Sequence, residues 1–183
     1  MPVRWLLALL VVAAVAVALQ VRTPISVVWA VLDVAIHGSL AGVCLVCRLP
    51  RWGPAPVIAA AAAGILIDLD HLVAARSPDP MAMMSLSTRP PTHSLAGILV
   101  LAAATHLFLG WRVAYAAFVG MLAHLLWDCV AEPGVVLLFP FVADRSVVLP
   151  VWAAVACLAG LTLFNRPLRG ARVGMNDSGG RTA

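Results

Sequence analysis

Long apolar stretches separated by short polar connections make up most of this chain. Six of them approach the ~20 mostly apolar residues that a helix needs to cross a bilayer, and they span residues 5–19, 25–46, 55–75, 93–109, 111–131 and 147–164. Short connections are typical of antiparallel neighbours in a bundle, and the one long connection, a Pro-, Ser- and Met-rich segment at residues 76–92, is expected to be a loop. The pattern predicts an all-α, polytopic membrane helical bundle of about six transmembrane helices. We expect this bundle to form a single domain over residues 1–164, followed by a polar, disordered tail over residues 165–183.

Composition indicates that lipid is the natural solvent of the chain. Hydrophobic residues make up 63% of its 183 residues and charged residues 11%, whereas a soluble domain carries about 25% charged residues. We therefore expect an integral protein of the inner, or plasma, membrane with the lipid bilayer as its partner. All the basic residues are arginines, and they are spread along the chain without interleaved aromatics. Because the arginines form no basic patch, we expect no nucleic-acid partner.

The first apolar stretch has two interpretations. Arg4, the apolar run and small residues at 16–18 fit a secretory signal. The lack of a clear A-x-A cleavage site favours an uncleaved extra helix or signal anchor over residues 1–22. Both interpretations place the amino terminus in the cytoplasm.

Arginine placement predicts the orientation. If the helices alternate in direction, eight arginines fall on the side of the amino terminus and four on the other side. The positive-inside rule makes the first side cytoplasmic. The embedded polar residues of four stretches then all lie toward the extracytoplasmic side, and they are Asp33, His37, Asp68, Asp70, His71, His93, His124 and Asp128.

These residue types and spacings are typical of a metal site. His124 and Asp128 are four residues apart and project from one helix face, and I-D-L-D-H at 67–71, T-H-S at 92–94 and His37 add further ligands. The set exceeds the four ligands of a closed zinc site, so it suits one or two ions with open positions for water and substrate. Imidazole with carboxylate favours zinc first, with manganese or iron as alternatives.

Each of these histidines and aspartates also has a purely structural interpretation. His124 and Asp128 can form a structural hydrogen bond with each other, and Asp33 can hydrogen-bond His37 and orient its ring. Charges at this depth cost several kcal/mol each unless they are paired, liganded or hydrated. Their gathering at one end therefore favours a shared functional site.

At these residues the sequence resembles the LexA-regulated, membrane-bound metal-dependent hydrolases, the YdjM-like family. The matching blocks are His37 in I-H-G-S-L, D-L-D-H at 68–71, R-P-P-T-H-S at 89–94, G-M-L-A-H-L-L-W-D at 120–128, E-P-G at 132–134 and F-P-F at 139–141. The resemblance covers roughly residues 33–150, a hydrolase-like core. Thr88 stands where the family has a histidine, and Pro90 stands where it has a glycine.

That resemblance implies a metal-dependent hydrolase. The family is distantly similar to zinc phospholipase C and P1-type nucleases, which implies a phosphoester of an amphiphilic or lipid-linked substrate and a metal-activated water. The implied catalytic residues are Asp68, Arg89 and His93, with Arg89 neutralising a phosphate. The metal ligands are expected among His37, Asp68, Asp70, His71, His93, His124 and Asp128.

Two other functions stay open, and the sequence predicts no oligomeric state. Buried histidine and aspartate also mark the pathways of metal-ion or proton transport proteins. Thr88 keeps open a catalytically degenerate family member whose metal is structural.

Overall fold

The chain is helical wherever its regular structure is described. The computed structural model describes residues 27–130, 134–143 and 145–165, together with positions 8, 11, 12, 14 and 15. The α-helices in the three ranges are α1 Val27–Leu45, α2 Leu49–Trp52, α3 Pro54–Leu66, α4 Leu69–Ala75, α5 Pro80–Met84, α6 Leu95–Leu109, α7 Trp111–Asp128 and α8 Val151–Phe164, and a 3₁₀ helix over Val46–Arg48 joins α1 to α2. Extended backbone pairs there only in an isolated antiparallel bridge between Val135 and Val147. The all-α prediction is confirmed.

Four of the predicted stretches match helices to within a few residues. The stretches at 25–46, 93–109, 111–131 and 147–164 become α1, α6, α7 and α8. The stretch at 55–75 was expected to be one helix, but a turn at Ile67 and Asp68 divides it into α3 and α4. The stretch at 5–19 and the tail after residue 165 lie outside the described residues, apart from the five isolated positions.

The connection at residues 76–92 was expected to be a loop, but it contains the short helix α5. Asp79 caps this helix, since its Oδ1 accepts a hydrogen bond from the Met81 amide at 3.0 Å. Pro80 occupies the first helical position, where a missing N–H costs nothing. An N-cap aspartate followed by proline is a helix-start signal, and it outweighs the polar composition of the segment.

Apolar side chains cover the outer faces of the bundle. Across the turn, Pro54–Ala75 makes a 22-residue stretch long and apolar enough to cross a bilayer, whereas Leu95–Leu109 and Val151–Phe164 are apolar but shorter. Leu107 and Phe108 of α6 and Trp152 of α8 are more than 70% exposed. Soluble proteins rarely expose such contiguous apolar faces, and a bilayer would cover them. The number of crossings stays a prediction.

Close backbone contacts bring α1, α3 and α7 together in the centre. Helix α7 packs on α1, α3, α6 and α8. A Cβ at Gly120 of α7 would overlap the carbonyl group of Ala60 on α3, and one at Gly64 of α3 would lie 2.9 Å from the Ala41 Cβ of α1. Because glycine lacks a Cβ, the three backbones approach within reach of short polar side chains.

The segment that follows α7 folds over the end of the bundle where α7 stops and α6 starts. The Leu95 amide donates to the Leu137 carbonyl at 2.9 Å, and the Val135 amide donates to the Val147 carbonyl at 3.1 Å. These bonds tie residues 135–137 to the first turn of α6 and to Val147. This end of the bundle is therefore a packed surface.

The contact at Gly120 predicts a stability effect. Gly120→Ala should lower the thermal unfolding midpoint in detergent, because overpacking costs about 1–3 kcal/mol. Gly160→Ala on α8 is the matched control, since its Cβ would meet no atom within 4 Å, and its midpoint should be unchanged or raised. Equal midpoints for the two variants would contradict this packing.

Candidate metal centre

Polar side chains from four parts of the chain meet at one end of the bundle. The contributing segments are α1, the turn between α3 and α4 together with the first residues of α4, residues 89–93 before α6, and the end of α7. The side chains are those of Asp33, His37, Asp68, Asp70, His71, Arg89, His93, His124 and Asp128. The predicted convergence at one end is confirmed, whereas the roles of the residues stay predictions.

Local structure fixes two of these segments. Ser94 caps α6, because its Oγ accepts a hydrogen bond from the Gly97 amide at 3.0 Å and donates to the Pro91 carbonyl at 2.7 Å. The cap starts α6 at Leu95, two residues after His93, and holds that imidazole over the end of α7. The turn that divides α3 from α4 brings Asp68 and Asp70 to the same place.

Two imidazoles face each other at the centre of this cluster. The Nε2 atoms of His93 and His124 lie 3.1 Å apart, and both residues are buried. His124 Nδ1 lies 2.7 Å from the Gly64 carbonyl, and His93 Nδ1 lies 3.1 Å from Asp70 Oδ2. Both partners only accept hydrogen bonds, so each Nδ1 carries the proton. In neutral rings, both Nε2 atoms then present lone pairs to each other.

Carboxylate oxygens surround these lone pairs. Asp68 Oδ1 lies 3.4 Å from His93 Nε2 and 3.3 Å from His124 Nε2. Asp128 Oδ2 lies 3.5 Å and 3.2 Å from the same two nitrogens. This oxygen is buried and accepts no hydrogen bond. Four electron-pair donors in a buried space repel one another unless a cation or a proton lies among them.

The spacing of the four donors fits a divalent metal ion. Ligand atoms about 2.0–2.2 Å from a zinc ion are about 3.3–3.6 Å apart in tetrahedral geometry. The five distances that join the two nitrogens to each other and to the oxygens run from 3.1 to 3.5 Å. The group of Asp68, His93 and His124 could therefore hold such an ion together, with Asp128 Oδ2 next to the same two nitrogens.

Asp70 and His71 are engaged with neighbouring side chains. Asp70 accepts from His93 Nδ1 through one oxygen and from His71 Nδ1, at 2.9 Å, through the other. A carboxylate in this position orients a metal-binding imidazole and raises its basicity. Both residues were predicted as metal ligands, and that prediction stands untested. The distances favour an orienting role for Asp70.

Arg89 folds over the cluster, and its role in neutralising a phosphate stays a prediction. Its Nη1 donates to His71 Nε2 at 3.2 Å, and its Nη2 lies 3.4 Å from Asp128 Oδ1. Its Nε is buried and makes no hydrogen bond. Thr88, at the position of the family's histidine, is exposed and is no member of the buried cluster.

His37 and Asp33 of α1 form one side of the cluster, and the sequence left the role of Asp33 open. The His37 ring stacks on the His124 ring with centroids 3.8 Å apart. His37 Nε2 lies 3.5 Å from Asp128 Oδ1 and 3.6 Å from Asp33 Oδ2. The sequence predicts for Asp33 only a role in orienting His37. Its i, i+4 spacing to His37, which repeats that of His124 and Asp128, is the signal that marks it.

A comparison with known protein families agrees with the membrane location. The sequence profile of the YdjM inner membrane protein family matches residues 5–176. The chain belongs to this family. The family description supports the membrane location, and it names no reaction. No curated protein and no solved structure matches the chain.

The geometry distinguishes an orienting carboxylate from a ligand. Asp70→Asn should weaken zinc affinity roughly 10- to 100-fold, as loss of an outer-shell partner does, while leaving the number of bound ions unchanged. Zinc titration with a competing chelator measures both quantities. Asp79→Asn is the control, because Asp79 caps α5 outside the cluster and asparagine can also cap a helix. A lower number of bound ions in Asp70→Asn would instead make Asp70 a ligand.

Proposed function

We propose that this chain is a membrane-embedded, metal-dependent hydrolase that cleaves a phosphoester of a lipid or lipid-linked substrate. The observation that carries the proposal is the pair of buried imidazole nitrogens 3.1 Å apart, each with its second nitrogen held by an acceptor. Nothing short of a cation or a shared proton relieves that arrangement. The carboxylates beside it favour the cation.

The metal supplies Lewis acidity, which activates water near neutral pH and offsets charge on a phosphoryl oxygen. His93 and His124 would hold it from the buried side, with their orientation set by Asp70 and by the Gly64 carbonyl. Zinc is the first choice, and manganese or iron suits the same ligands. The cluster contains no cysteine among its described members.

Asp68 and Arg89 provide the contacts for the substrate. The Asp68 side chain is 21% exposed and the Arg89 side chain is also 21% exposed, whereas those of His93, His124 and Asp128 are at most 3% exposed. Water and substrate therefore reach the centre past these two residues. The guanidinium charge of Arg89 lies where it can neutralise a phosphate, and the Asp68 carboxylate is the group placed to accept a proton from water.

Apolar surface beside the site favours an amphiphilic substrate. On α4, Leu69 and Val73 are 58% and 73% exposed, and this helix also carries Asp70 and His71. A lipid lying along this face would present its headgroup to the metal cluster. With the positive-inside orientation, the site faces the extracytoplasmic leaflet.

Transport is the other function that buried histidines and carboxylates suit, and the core beyond the cluster disfavours it. An ion pathway needs polar groups that continue toward the opposite side. Directly beyond His37 on α1 the buried residues are Leu40, Ala41, Cys44 and Leu45, and they belong to one apolar cluster with Ala116 and Val119 of α7. This apolar layer closes the cluster into a blind pocket. Proteoliposome flux of zinc or protons is expected to be at background.

Metal content tests the centre. The purified full chain should bind zinc stoichiometrically, and His124→Ala should lose that binding because it removes one of the two facing nitrogens. His106→Ala is the control, since His106 is an exposed histidine near the far end of α6. Mass spectrometry of metals after dialysis gives the ratio. A chain without stoichiometric metal, or His124→Ala with unchanged metal, would refute the metal centre.

Hydrolysis tests the reaction. The zinc-loaded chain should release phosphate or a phosphorylated headgroup from phospholipid or polyprenyl phosphoester substrates in mixed micelles. Arg89→Ala should lower kcat by about 10²-fold or more, as removal of one charge-stabilising donor does, whereas Arg112→Ala should leave it unchanged. Arg112 lies on α7 beside Trp111, at the opposite end of the bundle. Metal binding without turnover of any phosphoester would instead support the degenerate family member.

A further inference from the structure

Two histidine–aspartate pairs with the same spacing and opposite order face each other across the bundle. Helix α1 carries Asp33 and His37, and α7 carries His124 and Asp128. The His37 and His124 rings stack with centroids 3.8 Å apart. The centre described above uses only the α7 pair, so the α1 pair has no part in it.

Asp128 connects the two pairs through its two oxygens. Oδ2 lies 3.2 and 3.5 Å from the Nε2 atoms of His124 and His93. Oδ1 points to the other side, where it lies 3.5 Å from His37 Nε2 and 3.4 Å from Arg89 Nη2. A carboxylate with one oxygen in each of two donor groups is suited to bridge two cations.

The surroundings of His37 point to a ligand. The residue is 1% exposed, and its Nδ1 is buried without a hydrogen-bond partner. Its Nε2 lies 3.6 Å from Asp33 Oδ2 and 3.5 Å from Asp128 Oδ1. These separations exceed the 2.7–3.2 Å of a good N–H···O hydrogen bond. They match the roughly 3.3–3.6 Å between two ligands of one tetrahedral ion.

We propose that Asp33 Oδ2, His37 Nε2 and Asp128 Oδ1 bind a second divalent cation, with Asp128 bridging it to the first. This proposal rests on the metal centre of the proposed function and does not depend on hydrolysis. It changes Asp33 from an orienting group into a ligand. The 22% exposure of the Asp33 side chain leaves this ion a route to water and substrate.

A paired site suits phosphoester chemistry. Two ions about 3.5–4 Å apart stabilise both the attacking and the leaving oxygen of a phosphoryl displacement. Arg89 contacts the same Asp128 oxygen that would take the second ion. With that oxygen engaged by a cation, the guanidinium is released to meet the negative charge of the substrate.

Manganese binding tests the second site without any assay of activity. The metal-stripped full chain in detergent is titrated with Mn²⁺, and binding is followed by electron paramagnetic resonance. The wild type should bind two equivalents and show the spectrum of a spin-coupled pair. Asp33→Asn and His37→Gln should each bind one equivalent with an uncoupled six-line spectrum. Asp79→Asn, an aspartate outside the cluster, should retain two.

Each of the other outcomes overturns the proposal in a recognisable way. One uncoupled equivalent in the wild type would eliminate the second ion while leaving the first centre in place, and it needs no variant that folds. Two coupled equivalents in both Asp33→Asn and His37→Gln would show that these residues do not form the site. No binding of Mn²⁺ or Zn²⁺ by the wild type would remove the second site together with the proposed function.

Discussion

The constraint on which the site depends is the approach of two imidazole nitrogens to 3.1 Å inside a helical bundle. Each ring has its other nitrogen fixed by an acceptor, the Gly64 carbonyl for His124 and the Asp70 carboxylate for His93. With both protons committed there, the facing nitrogens are lone pairs in a low-dielectric interior. The carboxylates of Asp68 and Asp128 add negative charge to the same space. A cation would turn this repulsion into attractive contacts.

The fold is arranged so that these donors can meet. Short side chains reach across three helices only where the backbones nearly touch, and Gly64 and Gly120 allow that approach. The turn between α3 and α4 carries Asp68, and the first turn of α4 carries Asp70, so both carboxylates reach the cluster from one short segment. The Ser94 cap starts α6 at Leu95, which leaves His93 just before the helix. Packing in the core and chemistry at its end therefore depend on the same few residues.

The apolar pattern was enough to predict the helical class and the positions of four helices. The gathering of the polar residues followed from helix direction alone, because alternating helices carry their charged ends to one side. The turn at Ile67 and Asp68 was missed because the sequence around it is as apolar as a continuous helix. Helix α5 was missed because its cap, Asp79, lies in a segment rich in proline and serine.

Roles within the cluster lay beyond the sequence for a different reason. Whether a carboxylate binds a metal or orients an imidazole depends on which oxygen faces which nitrogen, and spacing along the chain does not fix that. Asp70 looks like Asp68 in the motif, yet its two oxygens face His71 and His93. The sequence spacing pairs Asp33 with His37 alone. The structure adds that Asp128 lies near the same ring nitrogen of His37.

X-ray absorption at the zinc edge tests the central claim most directly, since it reports the atoms around the metal. The account predicts a first shell of nitrogen and oxygen at about 2.0–2.2 Å. It also predicts outer-shell scattering from at least two imidazoles, those of His93 and His124. A shell of sulfur at about 2.3 Å, or a spectrum without imidazole scattering, would place the metal elsewhere and contradict the account.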